Sequence, residues 1–322
     1  METNRIYIGD AKTVLSSFPD DSIGCCVTSP PYFGLRNYNV KGQIGLEDTP
    51  SVYVEKLMEV FDQVRRVLKP SGTFWLNIGD SYAGSGRGKG AVNRKGLQQK
   101  ASFIGEKFSK PYKLNGCKNK DLIGIPWMLA FALRESGWYL RQEIIWHKPN
   151  PMPESVKDRC TKSHEYIFLL SKSESYYFDH ESIMEEAAYD GRKDTRMKGS
   201  LKYSQGVTGL TTRSFSARGH ERWTVVDGKY MRNKRDVWTI PTRPFKGAHF
   251  ATFPSDLIKP CILAGCPADG VVLDPFFGAG TTGLVAGQLG RNYIGIDINS
   301  EYCKIATERL KEAFPTEHKT AS

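Results

Sequence analysis

A chain of 322 residues, 39% of them hydrophobic, is long enough to bury one large core with a smaller appended unit, and its composition excludes the fibrous and disordered classes. No run of eighteen apolar residues occurs, and the opening METNRIYIGD lacks the apolar stretch of a secretory leader, so no membrane partner is expected and the cytoplasm is the predicted compartment. The net charge of +10 is concentrated: Ala83 to Lys120 carries ten basic residues against the single acid Glu106, Gly191 to Gly247 carries fourteen against four, and the remainder is net acidic. Two basic segments on an acidic body attract polyanions through counterion release, with a solvated loop as the plain alternative for either one alone. The seven cysteines are odd in number, include the adjacent pair Cys25 and Cys26, and form no CxxC, so no disulfide framework and no metal site is predicted.

In chain order, Arg5 to Gly9 reads as a short strand, Asp10 to Phe18 as a helix, and Ser22 to Thr28 as a buried strand stopped by Pro30-Pro31. Ser51 is expected to cap a helix with Val54, Leu57, Met58, Phe61, Val64 and Leu68 on one face, ended by Pro70. Gly72 to Gly79 is the next strand, after which the first basic insertion interrupts the pattern. A helix from Ile125 to Glu135 and strands at Tyr139 to His147 and Glu165 to Leu170 follow, the strands separated by the loop KPNPMPE. Beyond the second insertion, Ser255 is expected to cap a helix through Leu263. Gly270 to Asp274 is a strand, Thr281 to Leu289 a helix, Tyr293 to Asp297 a strand, and a last helix starts at Asn299. Strand and helix alternate as in a parallel α/β sheet.

The turn Asp274-Pro275-Phe276-Phe277-Gly278-Ala279-Gly280-Thr281-Thr282 joins a strand to a helix, where small residues let a ligand approach the backbone. No lysine follows its last glycine, so a triphosphate is not the expected ligand. Carboxylates at strand ends favour a cationic ligand at Asp274 and ribose hydroxyls at Asp297. Earlier in the chain, Thr28-Ser29-Pro30-Pro31-Tyr32 also follows an apolar strand. This loop resembles the catalytic motif of the amino-methylating DNA methyltransferases, whose substrate, an exocyclic base amine, is a poor nucleophile until acceptors hold both its hydrogens. The Ser29 hydroxyl and the Pro30 carbonyl supply two, and Pro30-Pro31 keeps that carbonyl rigid and uncommitted. A flipped base needs a stacking surface, for which Tyr32 is the candidate. Asp80 is a candidate to orient Ser29 or take its proton, and His147 stands between a structural and a functional reading.

Together these two motifs resemble those of the amino-methylating DNA methyltransferases, which act on the N4 of cytosine or the N6 of adenine. The order, catalytic motif before cofactor motif with a recognition region between, is that of the family's beta group. The likeness extends to Gly9-Asp10, to LKPSGTFWLNIGD and to FPSDLIKPCILAGC, while Asp297 departs from the glutamate common in the family. The resemblance implies a circularly permuted, Rossmann-like S-adenosylmethionine-dependent methyltransferase fold. It implies catalytic residues Ser29, Pro30, Pro31, Tyr32 and Asp80, and a cofactor site of Asp10, Asp274, Phe276, Gly278, Gly280, Thr281, Thr282 and Asp297. The expected core is 1–80, 121–182 and 248–322, with a basic insertion at 81–120 and target recognition at 183–247. Arg213, Arg218, Arg222, Arg232, Lys234 and Arg235 are the candidate DNA-binding side chains. Double-stranded DNA is the implied substrate, a cognate restriction endonuclease a candidate partner, and a prokaryotic or phage nucleoid the setting. Ser29, rather than Asp or Asn, favours N4 of cytosine over N6 of adenine. Methylation of structured RNA or of a protein glutamine, and a silent DNA-binding module, are the rival readings.

Overall fold

The computed structural model describes residues 1–35, 37–38, 40–84, 116–187, 224–226, 228–242 and 253–315. Eight strands form the main sheet: β1 (Arg5–Ile8), β2 (Ile23–Thr28), β3 (Leu68–Ile78), β4 (Tyr139–His147), β5 (His164–Ser171), β9 (Val237–Thr239), β10 (Val271–Asp274) and β11 (Asn292–Asp297). Their spatial order is β1-β11-β10-β2-β3-β5-β4-β9, and only β5 runs against its neighbours. The sheet is therefore mostly parallel, as the resemblance implies. Its permutation is visible in β10, which comes from late in the chain yet sits beside β2 from near its start.

Among the described residues six helices cover it: α1 (Ala11–Ser16), α2 (Pro50–Val67), α3 (Ile125–Glu135), α4 (Ser255–Gly265), α5 (Thr281–Gln288) and α6 (Ser300–Ala313). α1, α2 and α3 pack side by side in one group and α4, α5 and α6 in another. β2 is buried along its whole length because both its faces meet apolar side chains. Alternation sends Cys26 into the core with α2, and Cys25 toward Thr73 and Gly265 of α4.

The helix starts differ from expectation where proline intervenes. α2 begins at Pro50 with Thr49 as its cap, the hydroxyl accepting from the Val52 N–H at 3.3 Å, because proline at the first helical position needs no N–H partner. Ser51 is therefore inside the helix. Likewise Ser255 is the first residue of α4, which runs through Pro260 to Gly265 rather than ending at Leu263. α2 passes directly into β3 at Leu68, and a register shift between Ile23 and Cys25 accommodates the exposed Lys69-Pro70-Ser71.

Residues 180–235 cluster as a second compact unit, apart from 1–179 and 236–322. Its described part is a three-stranded antiparallel sheet of β6 (Glu185–Glu186), β8 (Lys229–Arg232) and β7 (Thr224–Val226). Against the expected recognition region of 183–247, the unit starts three residues earlier and ends sooner, because β9 pairs with β4 in the main sheet. Most of the first insertion lies outside the described residues, but its ends are joined: the Ala83 N–H donates to the Asp121 carbonyl and the Lys120 N–H to the Ala83 carbonyl, each at 2.8 Å. Among the described residues no helix is long and apolar enough to cross a membrane.

Candidate active site

The chain turns away from the sheet centre in both directions at β10 and β2: β10 leads through α5 to β11 on one side, β2 through α2 to β3 on the other. A crevice forms at such a switch point, beyond the carboxyl ends of the strands. A cavity of about 810 Å³ lies there, within the usual range for ligand sites. It is lined by the loops after β1, β2, β3, β4, β10 and β11, and by the start of β5, whose reversed direction brings its first residues to the same edge.

Ser29, Pro30, Pro31 and Tyr32 all line the cavity. Their loop is fixed from both ends. The buried Thr28 hydroxyl donates to Asp274 Oδ1 at 2.5 Å, and the Tyr53 hydroxyl donates to the Pro31 carbonyl at 2.7 Å. Among the described residues no donor meets the Pro30 carbonyl, the acceptor that the sequence assigns to a substrate amine. The Ser29 hydroxyl faces the Tyr32 hydroxyl at 3.5 Å, and Tyr32 in turn donates to Glu165 Oε2 at 2.7 Å. Burial, and then the Glu165 charge, push the Tyr32 phenol well above its ordinary pKa. Glu165 is also ion-paired with Lys148 and accepts from Asn77 Nδ2 at 3.3 Å. Gly79 makes room for this group: a Cβ there would stand 2.8 Å from Tyr32 Cε2 and 3.3 Å from Glu165 Cγ.

Asp80 has a different task from the expected one. Its carboxylate accepts the N–H groups of Ser81 at 2.9 Å and of Gly124 and Ile125 at 3.1 Å, so it caps α3, whose own start offers no side-chain cap. Asp80 lines the cavity with Ser29, but its Oδ1 is taken by three backbone donors and its Oδ2 by the Gly124 N–H, and it makes no hydrogen bond to Ser29. His147 hydrogen-bonds Thr239 at 3.1 Å, across the β4–β9 pairing, and does not line the cavity, which assigns it a structural role.

On the other side, Asp10, Phe276, Gly278 and Asp297 line the cavity. Asp10 Oδ1 caps α1 by accepting from Thr13 N at 2.9 Å. Asp297 accepts from Gly278 N and Asn299 N, both at 2.8 Å, and burial raises its pKa. The strand pairing sets these two carboxylates together, since Ile8 is in register with Asp297. Four of the expected cofactor residues form the frame behind the cavity instead. Asp274 is 1% exposed and its carboxylate is taken by Thr28, by Thr282 at 2.6 Å and by Phe276 N at 3.0 Å. Burial nonetheless raises its pKa to about 6, the hydrogen bonds opposing. Thr281 accepts from Arg309 at 3.0 Å, and Gly280, at φ +77°, starts α5 with Ala306 closing its open side. Asp274 thus ties the loop after β2 to the loop after β10.

The Asp10–Asp297 end of the cavity carries carboxylates, the paired rings of Tyr38 and Tyr302, and, among the described residues, no cation. The lysines of the lining, Lys148 and Lys162, stand at the other end; Lys162 donates to the Asp80 carbonyl at 2.7 Å, and burial lowers its pKa. That donor set fits a cationic ligand with hydroxyl groups and opposes a phosphate. Of the candidate DNA-binding residues, Arg213, Arg218 and Arg222 lie outside the described residues. Arg232 and Arg235 are both paired with Glu185, at 3.0 and 2.6 Å, and Lys234 lies beside them in the second unit. Glu165, Asn77 and Tyr53 are not singled out by the sequence; the one signal is a carboxylate at the head of the otherwise apolar run EYIFLL.

A family model described as DNA methylase matches residues 23–308. The Type II methyltransferase M.Cfr9I of Citrobacter freundii is 45% identical over 306 residues, covering 95% of this chain and 87% of that protein. M.SmaI of Serratia marcescens is 44% identical, covering 95% and 90%. Among solved structures, a putative DNA modification methylase from Thermus thermophilus, complexed with S-adenosyl-L-methionine, superposes with a TM-score of 0.58 at 24% identity, covering 97% of this chain and 95% of that one. The PvuII DNA methyltransferase, described as cytosine-N4-specific, gives 0.61 at 19%, covering 98% and 92%. At those identities the superpositions establish the fold.

Proposed function

The chain belongs to the DNA methylase family of N6- and N4-amino methyltransferases, and from that premise we propose that it transfers a methyl group from S-adenosylmethionine to the N4 amine of a flipped cytosine in duplex DNA. The observation that carries this reading is the cavity in which Ser29 and Pro30 of one loop meet Asp10, Phe276 and Asp297 of the other half. In this reading Asp297 takes the ribose hydroxyls and Asp10 the adenine amine, which the position of both carboxylates on the cavity wall supports. Asp274, behind the loop, supplies negative potential to a cationic ligand rather than a direct contact. The cofactor supplies a methyl carbon made electrophilic by a sulfonium sulfur.

The rest is done by the chain. Ser29 and Pro30 accept the two amine hydrogens, so the nitrogen lone pair points along the line of transfer. These bonds strengthen as the amine becomes tetrahedral and acidic, which lowers the barrier without a covalent intermediate; the S–C bond breaks to leave the thioether, and the extra amine proton is then lost to solvent. Tyr32 borders the base, and residues 180–235, with the basic segment around them, read the target. Ser29 favours cytosine because a hydroxyl reaches less far than a carboxamide or carboxylate; the cytosine-N4-specific PvuII enzyme shares this fold, and N6 of adenine is the alternative. The Type II relatives make a cognate restriction endonuclease a candidate partner.

Incubation with labelled cofactor and duplex DNA, transfer RNA or protein extract, followed by nucleoside mass spectrometry, is expected to give N4-methylcytosine. Methyladenine alone would overturn the choice of base, and label confined to RNA or protein would overturn the substrate. Ser29→Ala is expected to lower turnover far more than S-adenosylhomocysteine affinity.

A further inference from the structure

The chain Ser29–Tyr32–Glu165–Lys148 has a direction. Lys148 is donor-only and Glu165, as a carboxylate, is acceptor-only. Glu165 Oε1 takes the Lys148 ammonium and Oε2 takes the Tyr32 proton at 2.7 Å. The Tyr32 oxygen can then meet Ser29 only as an acceptor, so the Ser29 proton is drawn toward Tyr32 at 3.5 Å and its lone pairs are left for the cavity. Such contacts are long in unliganded sites and tighten with substrate. Asn77 reinforces the arrangement: its Nδ2 donates to the same Glu165 oxygen and to the Tyr166 carbonyl, at 3.3 and 3.1 Å, and its Oδ1 is a second acceptor for the Tyr32 proton at 3.4 Å.

We propose that Glu165 is the positioning residue that fixes the polarity of the Ser29 hydroxyl, making it an acceptor toward the substrate amine. The proposal rests on the methyltransfer reading above. Glu165 reaches this place because β5 is antiparallel: its first residues lie beside the end of β3 and opposite Trp146 of β4. Around it stand Tyr32, Asn77, Lys148 stacked on Trp146, Lys162, His164 and the committed Asp80. Without the Glu165 carboxylate, only the longer contact to Asn77 Oδ1 at 3.4 Å competes for the Tyr32 proton, which can then point at Ser29. The Ser29 proton then turns into the cavity, against the amine hydrogens.

Glu165→Gln preserves shape and tests this, because Lys148 holds the carboxamide oxygen and leaves its NH2 facing Tyr32, which reverses the chain. The experiment measures single-turnover methylation of duplex DNA by the parent protein, Glu165→Gln, Tyr32→Phe and the double variant, with S-adenosylhomocysteine affinity and thermal unfolding alongside. Glu165→Gln is expected to slow the step on the order of 30-fold, as for a lost charge-assisted hydrogen bond, with S-adenosylhomocysteine affinity unchanged and a lower unfolding temperature from the lost counter-charge of Lys148. The double variant is expected to be no slower than the slower single, since Glu165 acts through Tyr32. A Glu165→Gln rate within about threefold of the parent, or effects that multiply in the double variant, overturns the proposal. If Glu165→Gln fails to fold, a Tyr32→Phe rate within about threefold of the parent overturns it instead. Absence of methylation by the parent protein overturns the underlying reading, and is thereby distinguished from failure of the inference.

Discussion

Asp274 is a carboxylate with 1% exposure whose pKa is raised to about 6, burial outweighing three hydrogen bonds. An unfolded aspartate titrates near 3.9, so between roughly pH 4 and pH 6 the folded state binds the proton more tightly. Stability therefore falls as pH rises through that window, and the penalty is complete above it. At about 1.4 kcal/mol per unit, two units amount to about 3 kcal/mol. Asp274→Asn removes the charge in the same shape: its carbonyl still accepts from Thr28 and Phe276 N, and its NH2 donates to a reoriented Thr282 hydroxyl. The stability of the variant minus that of the parent is expected to be near zero at about pH 4 and to rise by about 3 kcal/mol by about pH 7, in favour of the variant. Urea unfolding of both proteins across this range measures it, and groups shared by the two cancel in the difference. A difference that stays flat with pH would refute the reasoning. In the proposed site this charge would favour a cationic ligand across the loop, so Asp274→Asn should lose more affinity for S-adenosylmethionine than for the neutral thioether S-adenosylhomocysteine.

Asp297→Ala is expected to weaken S-adenosylhomocysteine binding by about 1.5 to 3 kcal/mol, read by calorimetry; unchanged affinity would remove the ribose from this position. Gly79→Ala drives a methyl into the Tyr32 ring and is expected to slow methylation about tenfold and to destabilise by about 1 to 3 kcal/mol, and normal rates would show that the ring yields freely. Neutralising lysines and arginines between Gly191 and Gly247 should weaken DNA binding and flatten its salt dependence by about 0.9 in log–log slope for each phosphate left without its cation. An unchanged slope would make that segment a solvated loop.

Much of the fold is written locally. α3 and β4 occupy the expected Ile125–Glu135 and Tyr139–His147 because apolar periodicity and flanking glycine define both ends. The helix caps fall at Thr49 and Pro254, a residue or two before the serines that composition favours, because proline decides which position needs a partner. β9 carries no local signal. Three residues, VWT, in a basic stretch become a strand only through pairing with β4, a contact nearly a hundred positions away. The same distinction divides the site. Ser29 to Tyr32 and Phe276 to Gly278 are legible because each loop follows its own strand, whereas Glu165 joins them only through the reversal of β5, which is a property of the sheet.

Position at a strand end does not by itself tell the carboxylates apart. Asp10, Asp80, Asp274, Asp297 and Glu165 all come to one edge of the sheet, and each is eligible there for ligand or proton. What separates them is the donors that each has already met. Asp80 is occupied by backbone N–H groups of α3 and Asp274 by two hydroxyls and an N–H, so both hold the scaffold. Asp10 and Asp297 border the cavity, as Asp80 does, but they meet fewer backbone N–H groups, one and two against three. A carboxylate oxygen has two lone pairs, and one backbone donor leaves the second for a ligand while holding the group in place. Glu165 differs again, since its partners are a lysine, a carboxamide and a phenol that ends at Ser29. In the proposed site the lightly anchored acceptors are therefore the ones to bind, the more heavily engaged ones support, and the acceptor at the end of a hydroxyl chain sets the direction in which that chain donates.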